Sequence, residues 1–203
     1  MKFKNIIFDL DGVIINSRSN MNLSWTNTAK KFDLKINFKQ YEKYIGLPFK
    51  KILTKLGIKK NFLGIEKTYS QQSIINLNKI KLYPNIKKIL KDLDKNKIPY
   101  SIVTSKDKKR SLRIIKKFKI MPKSLHTPNK KLRGKPYPDH INYCILKNKF
   151  KKKYTCYVGD THTDYLASNR AGIKFIFASY GFGKNFRIYK YRIKNFKGLK
   201  KFI

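Results

Sequence analysis

Acidic residues are scarce in this chain of 203: 11 Asp plus Glu stand against 49 Lys plus Arg, for a formal net charge of +38. In so basic a chain any clustering of carboxylates is informative. Cysteine is nearly absent too. Cys144 and Cys156 form no CxxC pair and have no ligand-spaced histidines beside them, which argues against a disulfide framework or a zinc site and leaves them as small, partly buried hydrophobes. No run approaches 18 uninterrupted apolar residues, and acids enter too early in MKFKNIIFDLDG for the apolar core of a signal peptide, so the expected location is the cytoplasm, away from any membrane. What is present is a 41% hydrophobic, 14% aromatic composition, enough for a folded core despite the charge. The length suits one core domain with a small insertion.

The basic excess admits two readings: a footprint for nucleic acid or another polyanion, or a drift toward lysine spread over every solvated face. The lysines run from Lys2 to Lys201 without a clear block, apart from Lys147 to Lys153 and the last twenty residues, which favours the diffuse reading.

Along the chain, Phe3 to Asp9 reads as a buried strand, on a short apolar run that stops at Gly12. Met21, Trp25, Ala29 and Phe32 then set a helical stripe, Pro48 opens a second helix closed by Gly57, and a third runs from about Ile65 to Leu77. From Tyr83 the pattern alternates: helix at Ile86 to Leu93, strand at Tyr100 to Thr104, helix at Leu112 to Phe118, short strand at Ser124 to Thr127, helix at Pro138 to Lys147. A strand at Tyr154 to Gly159, a helix at Asp164 to Ala171 and a strand at Lys174 to Ala178 follow. Such alternation predicts an α/β fold, a Rossmann-like, mainly parallel sheet with helices on both faces and its site at the C-terminal strand ends. Residues 18–80 are expected as an inserted α-helical cap, with 1–17 and 81–203 forming the core domain.

Four features fall at strand ends: Asp9 and Asp11 in FDLDGVIINS, Thr104 in VTS, Lys135 in RGKPYPD, and Asp160 with Asp164 in GDTHTD. Four of the 11 acids thus meet at two strand ends that a parallel sheet can set side by side. Crowded carboxylates repel unless a cation sits among them, and hard oxygen ligands suit Mg²⁺. With a lysine and a hydroxyl beside it, such a site is fitted to a phosphate group. One aspartate of the first pair can attack phosphorus while its neighbour handles the leaving-group proton.

DLDGV, VTS, GKPYPD and GDTHTD resemble, in order, the four motifs of the haloacid-dehalogenase-like (HAD) hydrolase superfamily, and the insertion resembles the α-helical cap of its phosphoglycolate phosphatase-like branch. The resemblance implies Asp9 as nucleophile and metal ligand, and Asp11 as general acid and base that lends its backbone carbonyl to the metal. It implies Thr104 and the backbone of Ser105 as phosphate holders, Lys135 as the neutralising cation, and Asp160 with Asp164 as the acidic pair holding Mg²⁺. An acid two residues after the nucleophile separates phosphatases from dehalogenases. Met21 stands where mutases of this branch typically carry histidine, which argues against a mutase. The expected activity is a Mg²⁺-dependent phosphatase acting on a small phosphorylated metabolite, phosphoglycolate- or sugar-phosphate-like, through an aspartyl-phosphate; a phosphomutase and a polyanion-binding protein are the alternatives.

Further candidates carry two readings each. Gly46, Leu47 and Pro48 align with the cap segment facing the site or simply punctuate two helices; Arg18 and Arg133 could bind a substrate anion or lie in solvent. His162 is expected beside the metal site or exposed rather than as a ligand, and Asp107 and Asp139 at helix starts. The basic tail from Asn185 onward is expected to pack Ile193, Phe196, Leu199 and Phe202 on the core rather than to serve as a nucleic-acid arm. The sequence is silent on oligomeric state.

Overall fold

In the first strand, β1 (Asn5–Phe8), Ile6 and Phe8 join one apolar cluster and Ile7 another. That is the two-residue period of a strand, and all three are fully buried because helices cover both faces. The structure is a computed structural model and describes residues 2–183 and 189–203. After β1 come β2 (Ile15–Asn16), helices α1 (Arg18–Lys31), α2 (Phe38–Glu42), α3 (Phe49–Lys55) and α4 (Phe62–Ile75), then β3 (Lys81–Leu82). The alternating part follows as α5 (Ile86–Lys95), β4 (Tyr100–Val103), α6 (Lys108–Phe118), β5 (Leu125–His126), α7 (Asp139–Asn148), β6 (Thr155–Gly159), α8 (His162–Arg170), β7 (Lys174–Ala178) and β8 (Tyr191–Ile193). A 3₁₀ helix, Phe196–Phe202, ends it.

Six strands form one parallel sheet in the order β5-β4-β1-β6-β7-β8. The chain builds outward from β1 to β4 and β5, then returns to the other side of β1 for β6, β7 and β8. That reversal opens a crevice at the C-terminal ends of β1, β4 and β6, where an open α/β sheet places its ligands. One face of the sheet packs on Ile86, Ile89 and Leu93 of α5 with Phe196 and Leu199; the other packs on Ile141 and Cys144 of α7 with Ala167 of α8. Ile193, Phe196 and Leu199 are buried and Phe202 partly so, as expected of the tail, whose opening residues 185–188 lie outside the described residues.

The helices α1 to α4, which we call the cap, have a core of their own around Trp25, Tyr41, Leu53 and Tyr69. Trp25 stacks on Tyr41 with ring centroids 4.6 Å apart, and its indole N–H donates to the Ile36 carbonyl, so the buried polar edge is satisfied. Antiparallel pairing of β2 with β3 draws the entry and exit of this segment together. The apolar period does not foretell α2, because its five residues are set by a capping box between Asn37 and Gln40. Likewise α6 starts earlier than its apolar face, because Asp107 caps it by accepting the Arg110 N–H. Among the described residues no helix is long and apolar enough to cross a membrane.

Candidate active site

Asp9 is the first residue beyond β1, and its backbone N–H still bonds across to Val158 of β6. Asp160 follows β6 in the same way. Asp164 lies one turn into α8, where a capping box with Thr161 needs an acceptor: Asp164 Oδ2 accepts the Thr161 N–H at 3.0 Å, and the Thr161 side chain accepts the Asp164 N–H. These local demands bring ligand oxygens of Asp9, Asp160 and Asp164 within 4.8 Å of one another. Lys135, in the loop between β5 and α7, enters the cluster with Nζ 2.9 Å from Asp9 and 2.6 Å from Asp164.

One lysine does not balance three buried carboxylates. Burial, reinforced by Asp164 and Asp11, pushes the Asp9 carboxyl up to about 7 even against the pull of Lys135. Burial, with Asp164 and Asp9, drives Asp160 well above the carboxylate range. Burial alone would lower Lys135, but Asp164 and Asp9 outweigh it and hold the ammonium protonated. Asp160 Oδ2 accepts the Phe182 N–H at 2.6 Å, whereas Oδ1 is buried with no hydrogen-bond partner among the described residues. Backbone without side chains crowds this carboxylate: a Cβ at Gly12, where φ is +78°, would lie 2.0 Å from Asp160 Oδ2. The surplus charge, the orphaned oxygen and the all-oxygen donor set together fit a hard divalent cation.

The carboxylate of Asp11 stands apart from this cluster. It accepts the Ser17 hydroxyl and lies 3.1 Å from Lys106 Nζ, facing a cavity of about 50 Å³ beneath the cap. Thr104, at the end of β4, is buried and lines the same cavity, as do Ser105 and Gly46, which are joined by a 2.9 Å hydrogen bond from Ser105 Oγ to the Gly46 carbonyl. A second contact between cap and core is packing of Pro48 against Gly134, next to Lys135. Arg18 is not brought in: it lies outside this cavity, exposed, and pairs with Glu42 at 2.7 Å. Arg133 is likewise exposed and bonds Asp139, which sits in the first turn of α7. His162 opens α8 away from the carboxylate cluster, with Nδ1 3.2 Å from the Tyr189 hydroxyl.

Among the cavity residues to which the sequence reading gave no site role are Lys106, Arg110, Tyr41 and Tyr69. Lys106 directly follows the TS of the second strand end, and Arg110 stands three residues after Asp107, with which it pairs. Those spacings were visible. Among 49 cations, however, nothing distinguished two that turn inward, and Tyr41 and Tyr69 meet only through the cap fold, hydroxyl to hydroxyl at 3.1 Å.

The model of the haloacid dehalogenase-like hydrolase family matches residues 6–178. A phosphoglycolate phosphatase of Haemophilus influenzae (strain 86-028NP) is 27% identical, with 92% of this chain and 90% of that protein covered. A pyrophosphatase PpaX of Oceanobacillus iheyensis is 25% identical over 86% of this chain and 82% of its own length. The crystal structure of a predicted phosphoglycolate phosphatase from Haemophilus somnus 129PT superposes with a TM-score of 0.88 at 24% identity, covering 99% of this chain and 98% of that one. With the four motifs gathered at one crevice, the chain belongs to the haloacid dehalogenase-like hydrolase family and is an enzyme of its phosphoglycolate phosphatase-like branch.

Proposed function

We propose that this phosphoric monoester hydrolase releases phosphate from a small phosphorylated metabolite through an aspartyl-phosphate, with Mg²⁺ at its carboxylate cluster. The observation that carries this reading is a division among its acids. Asp9 stands with Asp160 and Asp164 around Lys135, the Asp11 carboxylate pairs with Lys106 apart from that cluster, and both Asp9 and Asp11 line the cavity under the cap.

Asp9, Asp160 and Asp164 would hold the ion through their carboxylates, and the family resemblance adds the backbone carbonyl of Asp11. When bound, Mg²⁺ supplies charge neutralisation that lets an anionic nucleophile and an anionic phosphoryl group approach. Asp9 attacks phosphorus, the ester P–O bond breaks, and Asp11 gives its proton to the departing oxygen. Asp11 then takes a proton from the water that cleaves the acyl-phosphate, which restores both residues. Thr104 and the Ser105 backbone hold the phosphoryl oxygens, and Lys135 offsets their charge. Apolar cap residues such as Phe49 and Ile52 line the cavity and exclude bulk water from it.

A test is phosphate release from a panel of small phosphate esters with Mg²⁺, run beside Asp9→Asn. The reading requires activity that disappears in that variant and yields no isomerised product. Release that survives Asp9→Asn overturns it.

A further inference from the structure

The chemistry above uses Lys135 for the phosphoryl charge and leaves two buried cations unexplained. Lys106 and Arg110 are 5% and 7% exposed and line the cap side of the cavity. Burying a cation is unfavourable until partners offset its lost hydration. Each has one carboxylate partner, Asp11 for Lys106 and Asp107 for Arg110. Arg110 spends its Nε on that pair, and its guanidinium carbon lies 5.0 Å over the ring of Tyr69, a cap residue on α4. Tyr41 donates to the Tyr69 hydroxyl, which leaves one hydrogen of the pair uncommitted. Burial, joined by the neighbouring tyrosine for Tyr41, raises both phenols, so the pair stays protonated and able to donate.

We infer that Lys106, Arg110 and the Tyr41–Tyr69 hydroxyl pair form a subsite for a small leaving group that carries its own negative charge, with Arg110 as the residue that sets this preference. The inference rests on the phosphatase reading and deepens it. A cavity of about 50 Å³ admits a leaving group of only a few heavy atoms. Inside its apolar walls a carboxylate or a second phosphate meets cations at low effective dielectric, whereas a neutral group of the same size gains no such attraction. Because Arg110 comes from the core helix α6 and its stacking partner from the cap, the subsite is complete only with the cap in place.

The experiment compares kcat/KM, with Mg²⁺, for three substrates of similar size: the ester phosphoglycolate for a carboxylate, the anhydride pyrophosphate for a phosphate, and the ester 2-hydroxyethyl phosphate as the neutral member. We expect the better anionic substrate to exceed the neutral one by about 100-fold or more, and its identity names the charged group. Arg110→Gln should cut that ratio at least about tenfold, and Arg110→Lys should recover part of it. A wild-type ratio near one, or a ratio that Arg110→Gln leaves intact, overturns the inference. Should Arg110→Gln fail to fold by circular dichroism, the wild-type ratio together with a severalfold fall in Tyr69→Phe decides the matter, and an unmoved ratio there counts against the subsite. Absence of Asp9-dependent phosphate release from all three substrates is a different result, and it removes the phosphatase reading itself.

Discussion

Lys135 Nζ lies 2.9 Å from a carboxylate oxygen of Asp9, and both side chains are almost fully buried. The loop before α7 and the first strand of the sheet thus meet as an ion pair whose second carboxylate, Asp164, comes from α8. Removing the cation strands two buried acids. Lys135→Met is therefore expected to lower kcat by about 10²- to 10³-fold, in the range lost when a positioned charge is removed from a transition state. Steady-state phosphate release measures it; a loss under tenfold would mean that Lys135 is chiefly structural.

The raised carboxyl of Asp9 makes a signed prediction for the metal-free protein. Its pKa is near 7 when folded against 3.8 otherwise, so the folded state holds the proton longer than the unfolded state does. Asp9 accordingly costs stability as pH rises from about 4 to 7, and the cost stays constant above that. Asp9→Asn has no such cost. Its stability relative to wild type should grow from pH 4 to pH 8 by an amount on the order of a few kcal/mol, readable by urea denaturation in EDTA. A difference that is flat with pH contradicts the assignment.

A cation that binds the folded state alone raises thermal stability as its concentration grows. Mg²⁺ should therefore raise the melting temperature of the wild type. It should do so much less in Asp160→Asn, which loses the charge of the buried carboxylate carrying the orphaned oxygen. Differential scanning fluorimetry across a Mg²⁺ series gives both curves, and equal shifts would place the ion elsewhere.

Gly12 has no room for a side chain. Gly12→Ala would press a methyl group to within 2.0 Å of the Asp160 carboxylate at a backbone angle of +78°. Strain of this kind costs about 1–3 kcal/mol, and it should disturb the cluster as well, so the variant loses both stability and its response to Mg²⁺. Urea denaturation alongside the Mg²⁺ series reports both; an unchanged protein would show that the loop yields easily.

The Ser105 hydroxyl ties the end of β4 to the Gly46 carbonyl of the cap at 2.9 Å. Ser105→Ala removes one neutral hydrogen bond, worth about 1 kcal/mol, from the closed arrangement. The expected result is a severalfold higher KM with kcat changed less. An equal fall in kcat at unchanged KM would instead make the hydroxyl part of the chemical step.

How much of this was legible beforehand differs by element. The strands ending in Asp9 and Asp160 and the amphipathic helix α5 were readable because burial on two sheet faces or on one helix face imposes a period on the sequence. The short α2 was not, since a capping box rather than an apolar stripe makes it. Cys144 and Cys156 are buried free thiols, as their isolation in the sequence implied. Asp11 and its neighbours resisted most. Its distance from Asp9 along the chain does not reveal that the two carboxylates face different surroundings, one toward Lys135 and one toward Lys106.

By itself, then, the sequence pointed to the family, to the alternation of strands and helices that builds the sheet, and to four acids at strand ends. Few carboxylates in a basic chain, placed at strand ends, leave little freedom in their meaning. Lys135 was legible from its motif, but only the tertiary structure decided which further cations turn inward. Lysine and arginine are spread along the whole chain, and their long side chains look alike until packing buries some and leaves the rest in water. Lys106 and Arg110 were chosen in that way, by the closing of the cap over the sheet, and Arg18 was left outside.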